Sequence, residues 1–228
     1  VHTHGGQTLA YSSLVIASGG SGATFGVPGA DRHCLGFRSL EDVQRLQALL
    51  TDLKRRRRPL QRLAVVGAGP TGVELACKLA DLCAGSCIIE LIEQGPRLLP
   101  QAKAFNREQA EQALRRRDVR LRCHTAVVAV EADRLRLRHS PTPQAAAGVA
   151  EPPAEEVLPT QGVIWTAGLS FRPPAIQPDP PRDRRGRLLC DASLRLQGHA
   201  SIFVVGDLAA VSDPDGDPLP STAQVAFQ

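Results

Sequence analysis

Residues 63–74 read LAVVGAGPTGVE, which sets Gly67, Gly69 and Gly72 at G-x-G-x-x-G spacing. Glu93 follows about 20 residues after the last glycine, at the end of a second apolar run. Each residue answers a physical demand of binding an adenine dinucleotide. Gly67 permits the tight turn, Gly69 lets a pyrophosphate approach the backbone, and Gly72 lets helix and sheet pack closely. The helix N-terminus offers free N–H groups and the positive end of its dipole to the phosphates. A carboxylate at Glu93 accepts the ribose hydroxyls and repels a 2′-phosphate, favouring NAD over NADP; Arg97, close behind, is the residue that could accept that phosphate. A second carboxylate, Asp207, ends the run SIFVVGD at 201–207 behind Gly206. A sugar or ribityl hydroxyl is a natural partner there, and capping of a following helix is the plainer alternative.

These residues need elements to hold them. Residues 8–18 read as a buried strand running into Gly19, Gly20 and Gly22. Ser39 can cap a helix over 40–54, read as a connector, with Glu41 and Asp42 in its first turn. Strand 63–66, helix 72–82 and strand 87–92 frame the glycines. Glu90 lies on one face of the last of these and reads as partly exposed. A charged helix over 105–117 is followed by short strands near 119–122, 125–130 and 133–138. Residues 140–155, rich in Pro and Ala, read as a surface loop. Residues 163–166 form a strand into Ala167-Gly168, and a Pro-rich link precedes the last strand at 202–205.

Composition removes several function classes. The chain has 228 residues, 43% hydrophobic and 22% charged, which excludes wholesale disorder. No apolar run reaches the roughly 20 residues of a spanning helix. The net charge is +4, with basic blocks at Lys54–Arg58, Arg115–Arg117 and Arg182–Arg187 that read as solvated helix ends and loops. Aromatics make up only 4% of residues and do not interleave with these blocks, so nucleic acid is not an expected partner. Six cysteines include no C-x-x-C and read mostly as small buried apolar residues. No metal site is expected. His2 and His4 form a weak pair, and Asp213, Asp215 and Asp217 do not fit a calcium loop, because Gly216 and Gln224 stand at the wrong positions.

The strings VVGAGPTGVELACKLADL, LIEQGPRLLP, VIWTAG, SIFVVGDLA and PLPSTAQVAFQ, in this order, resemble type II NAD(P)H:quinone oxidoreductases, most of all the demethylphylloquinone-reducing branch of cyanobacteria and chloroplasts. The resemblance implies an α/β fold with two Rossmann-like dinucleotide-binding domains, the NAD(P)H domain inserted into the FAD domain. Residues 1–38 are then the first part of the FAD domain, 39–59 a connecting helix, 60–172 the NAD(P)H domain with its insert at 140–155, and 173–228 the return part of the FAD domain.

Residue by residue, the resemblance implies NAD(P)H binding by Gly67, Gly69, Gly72, Glu74, Glu93 and Gly168, with NADH favoured. It implies FAD binding by Gly19, Gly206, Asp207 and Ala223, and quinone binding by Gln224 and Gln228. It further implies electron passage from NAD(P)H through flavin to quinone with no catalytic side chain, peripheral attachment to a thylakoid, plastoglobule or cyanobacterial membrane, and a possible homodimer. Family members carry a further G-x-G-x-x-G upstream and a membrane-binding region downstream. The chain therefore reads as the middle of a larger flavoenzyme, with an incomplete FAD domain and weak FAD retention expected. Two rival readings stay open: a soluble flavin reductase of disulfide or ferredoxin type, and a non-catalytic NADH-binding module.

Overall fold

The computed structural model describes residues 1–56, 61–140, 155–213, 215, 216 and 219. The chain begins with β1 (Leu14–Ile16), β2 (Ser21–Gly22), the short helix α1 (Ala30–His33), β3 (Cys34–Leu35) and α2 (Leu40–Arg56). β4 (Gln61–Val66), α3 (Pro70–Cys83), β5 (Cys87–Ile92), α4 (Ala104–Arg115) and β6 (Arg120–Arg122) follow as a β-α-β-α-β run. Next come β7 (Thr125–Val130), β8 (Arg134–His139), β9 (Glu155–Pro159) and β10 (Gly162–Trp165). The remainder holds β11 (Leu169–Ser170), β12 (Leu188–Leu189), β13 (Ile202–Val204), a 3₁₀ turn at Gly206–Leu208, and β14 (Ala209–Ala210). The expected loop at 140–155 lies almost wholly outside the described residues.

The chain divides into two compact units, residues 22–168 and residues 1–21 with 169–228. The larger unit is built on a five-stranded parallel sheet in the order β3-β10-β4-β5-β6. Parallel strands need cover on both faces, and β4 obeys this with an unbroken apolar run, Leu63 to Val66. Leu63 and Val65 pack with Leu46, Leu50 and Leu53 of α2 and with Val73, Ala76 and Leu79 of α3. Ala64 and Val66 pack on the opposite side with Val130, Leu135, Leu137 and Leu158 of the antiparallel sheet β7-β8-β9. In β8, Leu135 and Leu137 point inward while Arg134, Arg136 and Arg138 face solvent, the period-2 alternation of a half-buried strand.

Helix α2 is not a free connector. Its apolar stripe closes one face of this unit, and a reciprocal cap fixes its start: Asp42 N–H donates to Ser39 Oγ at 3.1 Å, and Ser39 N–H to Asp42 Oδ2 at 3.0 Å. The division between the compact units falls at residue 22, within the segment 1–38.

The smaller unit carries two parallel pairs, β1 with β13 and β12 with β14, around Ile16, Leu188, Leu196, Ile202, Val204 and Leu208.

Candidate functional site

In the larger unit three neighbouring strands end at one level. Trp165 of β10 lies opposite Val66 of β4, and Val66 opposite Ile92 of β5. One residue further stand Thr166, Gly67 and Glu93. The ladder extends to that level, with Gly67 N–H donating to Ile92 O at 2.8 Å and Thr166 N–H to Val66 O at 2.9 Å. The strand order also reverses at β4: the chain proceeds to β5 and β6 on one side and returns as β10 on the other. Open α/β sheets bind ligands in the crevice at such a switch point.

Two of the three glycines are sterically required. Gly67 has φ +101°, and a Cβ there would lie 2.9 Å from the backbone of Ala167. A Cβ on Gly72 would overlap Gly67 O and come within 2.8 Å of Thr166 Oγ1, so the close seat of α3 on the sheet depends on its absence. Gly69 differs: nothing lies within 4 Å of a Cβ placed there, so its face is open to a ligand. Gly69 is also the N-cap of α3, Pro70 follows, and no side chain caps the turn. Free N–H groups beside an open glycine face are what a pyrophosphate requires, and the turn fits that group.

Glu93 is half-buried and braces the turn. Its Oε2 accepts from Ala68 N–H at 2.9 Å and its Oε1 from Gly95 N–H at 2.7 Å. Each carboxylate oxygen keeps a second lone pair, so hydroxyl groups can still be accepted. Leu99 N–H donates to Ala68 O at 2.9 Å, closing the loop after β5 onto the same turn. Glu74 is exposed one turn into α3, and its carboxylate has no hydrogen bond or ion pair among the described residues. Gly168, exposed at φ +75°, follows Thr166 and Ala167 on the β10 side of the glycines, opposite the β5 side where Glu93 stands.

In the smaller unit β1 and β13 run parallel with Ile16 opposite Val204, and Val205 N–H donates to Ile16 O at 3.0 Å. Gly19 and Asp207 each lie three residues past that pair, at the carboxyl ends of adjacent strands. Gly19 (φ +60°) and Gly206 (φ +73°) are left-handed, with no atom within 4 Å of an added Cβ. Asp207 sits in the 3₁₀ turn, and its carboxylate has no partner among the described residues. Ala223, Gln224 and Gln228 lie outside the described residues.

Glu90 requires a correction. It is fully buried, where strand alternation suggested partial exposure. It lies on the inner face toward the antiparallel sheet, and three arginines surround it. Arg122 Nε lies 2.7 Å from its Oε2, and Arg62 Nε and Arg120 Nη1 lie 3.0 and 3.6 Å from its Oε1. The Oε1 contacts are ion pairs without hydrogen-bond alignment. Arg122 continues to Glu156, which meets His139 Nε2 at 2.8 Å, so this charge network joins β4, β5 and β6 to β8 and β9. The signal was the spacing of Arg62, Arg120 and Arg122 on strands flanking Glu90, which becomes readable only once the strand order is known.

All six cysteines are free, and only Cys83 and Cys190 are fully buried. Burial pushes the Cys34 and Cys83 thiols up to about 12 and Cys190 to about 11, and it also raises Cys77 and Cys123. A nucleophilic or redox thiol needs the opposite shift, so these five do not support thiolate chemistry.

The family model described as pyridine nucleotide-disulphide oxidoreductase matches residues 1–228. A Synechocystis protein named demethylphylloquinone reductase NdbB is 35% identical over 224 residues, covering 98% of this chain and 52% of that protein. The Arabidopsis thaliana protein named alternative NAD(P)H-ubiquinone oxidoreductase C1, chloroplastic/mitochondrial, is 33% identical over 236 residues, covering 98% and 44%. The solved structure of NDH2 from Plasmodium falciparum in complex with NADH superposes with a TM-score of 0.73 at 22% identity, over 90% of this chain and 45% of that one, and shares the fold. The chain spans about half the length of these relatives.

Proposed function

Because the chain belongs to the pyridine nucleotide-disulphide oxidoreductase family, we propose that it forms the NAD(P)H-binding domain and part of the FAD domain of a type II NAD(P)H:quinone oxidoreductase. The observation that carries this reading is the common level of Gly67, Glu93 and Thr166 at the strand-order reversal, with Gly69 open above an uncapped helix. On this reading the 67–72 turn takes the pyrophosphate. Glu93 accepts the adenosine ribose hydroxyls and disfavours a 2′-phosphate, so NADH is preferred. Glu74 and Gly168 lie toward the nicotinamide. Gly19, Gly206 and Asp207 hold the sugar-like and pyrophosphate parts of FAD, with Ala223 beside its ring and Gln224 and Gln228 toward quinone. Flavin, when bound, supplies the hydride acceptor and the electron store between nicotinamide and quinone. This chain's own residues orient both cofactors, and no side chain acts as nucleophile or general base.

Demethylphylloquinone, the substrate named for the Synechocystis relative, is the first quinone to test. Among the described residues no helix is long and apolar enough to cross a membrane, and we place the enzyme peripherally on a thylakoid, plastoglobule or cyanobacterial membrane surface. The test uses the full-length protein in NADH:quinone assays before and after flavin removal. Activity should vanish with the flavin and return on adding FAD. Activity indifferent to flavin, or absent with every quinone, overturns the reading. Glu93→Ala should shrink the preference for NADH over NADPH by about tenfold, because one carboxylate–phosphate repulsion is removed. An unchanged ratio counts against the ribose role.

A further inference from the structure

Phe25 occupies a position that neither burial nor backbone preference explains. Thr24 to Val27 form a tight turn, closed by Val27 N–H donating to Thr24 O at 3.0 Å. Both central residues are left-handed, Phe25 at φ +54° and Gly26 at φ +71°. Such a turn prefers Asn, Asp or Gly at its first central position, and a side chain without local hydrogen bonding is strained there. The ring gains no burial in exchange, since Phe25 is 68% exposed. It is nonetheless held in one place. Trp165 Nε1–H is shared between Ala23 O and Ala167 O, both at 2.9 Å, which ties the turn to the segment leaving β10. Thr24 Oγ1 donates to Asp31 Oδ1 at 2.7 Å, anchoring it from the other side. The ring then lies against Gly168: a Cβ on Gly168 would overlap Phe25 Cζ and Cε2.

An exposed aromatic, on a strained backbone, seated on a glycine that makes room for it, marks a contact that the described residues do not supply. Its location indicates the ligand. Glu93 stands on the β5 side of the glycine turn, and Gly168 with Phe25 on the β10 side, two strand spacings or about 10 Å away. A dinucleotide with its adenosine ribose at Glu93 and its pyrophosphate at Gly69 extends its other ring toward Phe25. We infer that Phe25 is the aromatic wall for the nicotinamide end of the dinucleotide, holding that ring by stacking or edge contact. The inference rests on the proposed NAD(P)H site and deepens it.

Calorimetric titration of the full-length protein, its flavin reduced beforehand so that NADH binds without turnover, with NADH and with ADP-ribose, which lacks the nicotinamide, separates the possibilities. Phe25→Ala should weaken NADH roughly tenfold and leave ADP-ribose unchanged, as expected for one aromatic contact. Phe25→Tyr should retain NADH affinity. Phe25→Asn guards against misfolding: Asn suits the left-handed turn, so this variant should melt no lower than the native protein yet bind NADH as weakly as the alanine variant. If NADH affinity is unchanged in both variants, or both ligands weaken equally, the wall is overturned while the NAD(P)H site stands. If the native protein binds neither ligand, the site itself fails and the wall with it.

Discussion

The glycines of the larger unit and those of the smaller one are needed for different reasons. At Gly67 and Gly72 the surrounding backbone leaves no room for a Cβ, and five parallel strands with cover on both faces fix that backbone. At Gly19 and Gly206 the φ is positive but the space beside the Cα is open, and the supporting sheet is a single strand pair. The first station is defined by the protein's own packing. The second has, among the described residues, an unpartnered Asp207 and open glycines at adjacent strand ends, and on the proposed reading its exactness has to come from what it binds. A preorganised site pays its ordering cost during folding, whereas a loosely held one meets that cost on binding.

The strongest way to break this contrast is to add a side chain in each place. Gly72→Val forces α3 away from Gly67 and Thr166. It should cost about 3 kcal/mol of stability and abolish NADH binding, read by urea denaturation and NADH titration. Gly206→Ala meets only the left-handed penalty of about 1–2 kcal/mol and should leave NADH affinity intact. If Gly72→Val binds NADH normally, close helix–sheet packing is not what shapes the cradle.

What could be read from the sequence follows the same division. The glycine spacing, the apolar runs of β4 and β5 and the placing of Glu93 are local patterns, and the structure assembles them at one level without needing distant information. The packing role of α2 was not legible, because an amphipathic helix has the same stripe whether it bridges domains or closes a core. Glu90 was misjudged because alternation gives a residue's face but not what covers that face. Three arginines from neighbouring strands decide its burial, and they are 28 to 32 residues away in sequence. Phe25 was missed because a Gly-Pro-rich turn reads as connection, and only its φ and its contact with Gly168 set it apart.

Glu90 supplies the next test. Glu90→Gln leaves Arg62, Arg120 and Arg122 facing one another around a neutral amide. Breaking a buried ion pair from one side costs about 3–5 kcal/mol, and the partial exposure of the arginines puts the expected loss near the lower end, about 3 kcal/mol. The network lies between the sheets and not on the glycine turn. In variant protein that remains folded, the NADH dissociation constant should therefore stay within about twofold. A large loss of affinity at full stability would place Glu90 in the site, not in its scaffold.

The smallest expected effect is the acid response, which sets the two units side by side. In the smaller unit burial pushes the Asp183 carboxyl up, but the Arg187 guanidinium at 2.7 Å and the N–H groups of Arg187 and Arg185 outweigh it and hold it below its ordinary 3.8. In the larger unit burial likewise opposes ionisation of Glu156, and His139 and Arg122 outweigh it to hold that carboxyl below 4.5. A depressed carboxyl contributes stability that is complete above its unfolded value and is lost as the pH falls through the lower folded value. Both units should therefore hold their stability near neutrality and lose it as the pH drops below about 4. Asp183 is braced entirely by residues 183–187, whereas Glu156 joins β9 to β6 and β8. Asp183→Asn should cost about 1 kcal/mol at neutral pH, with faster hydrogen exchange confined to peptides around 183–189. Glu156→Gln should spread faster exchange across β6, β8 and β9. Equal spreading from both substitutions would mean that the smaller unit's loops are as cooperatively fixed as the larger unit's sheets, and the contrast between the two stations would fail.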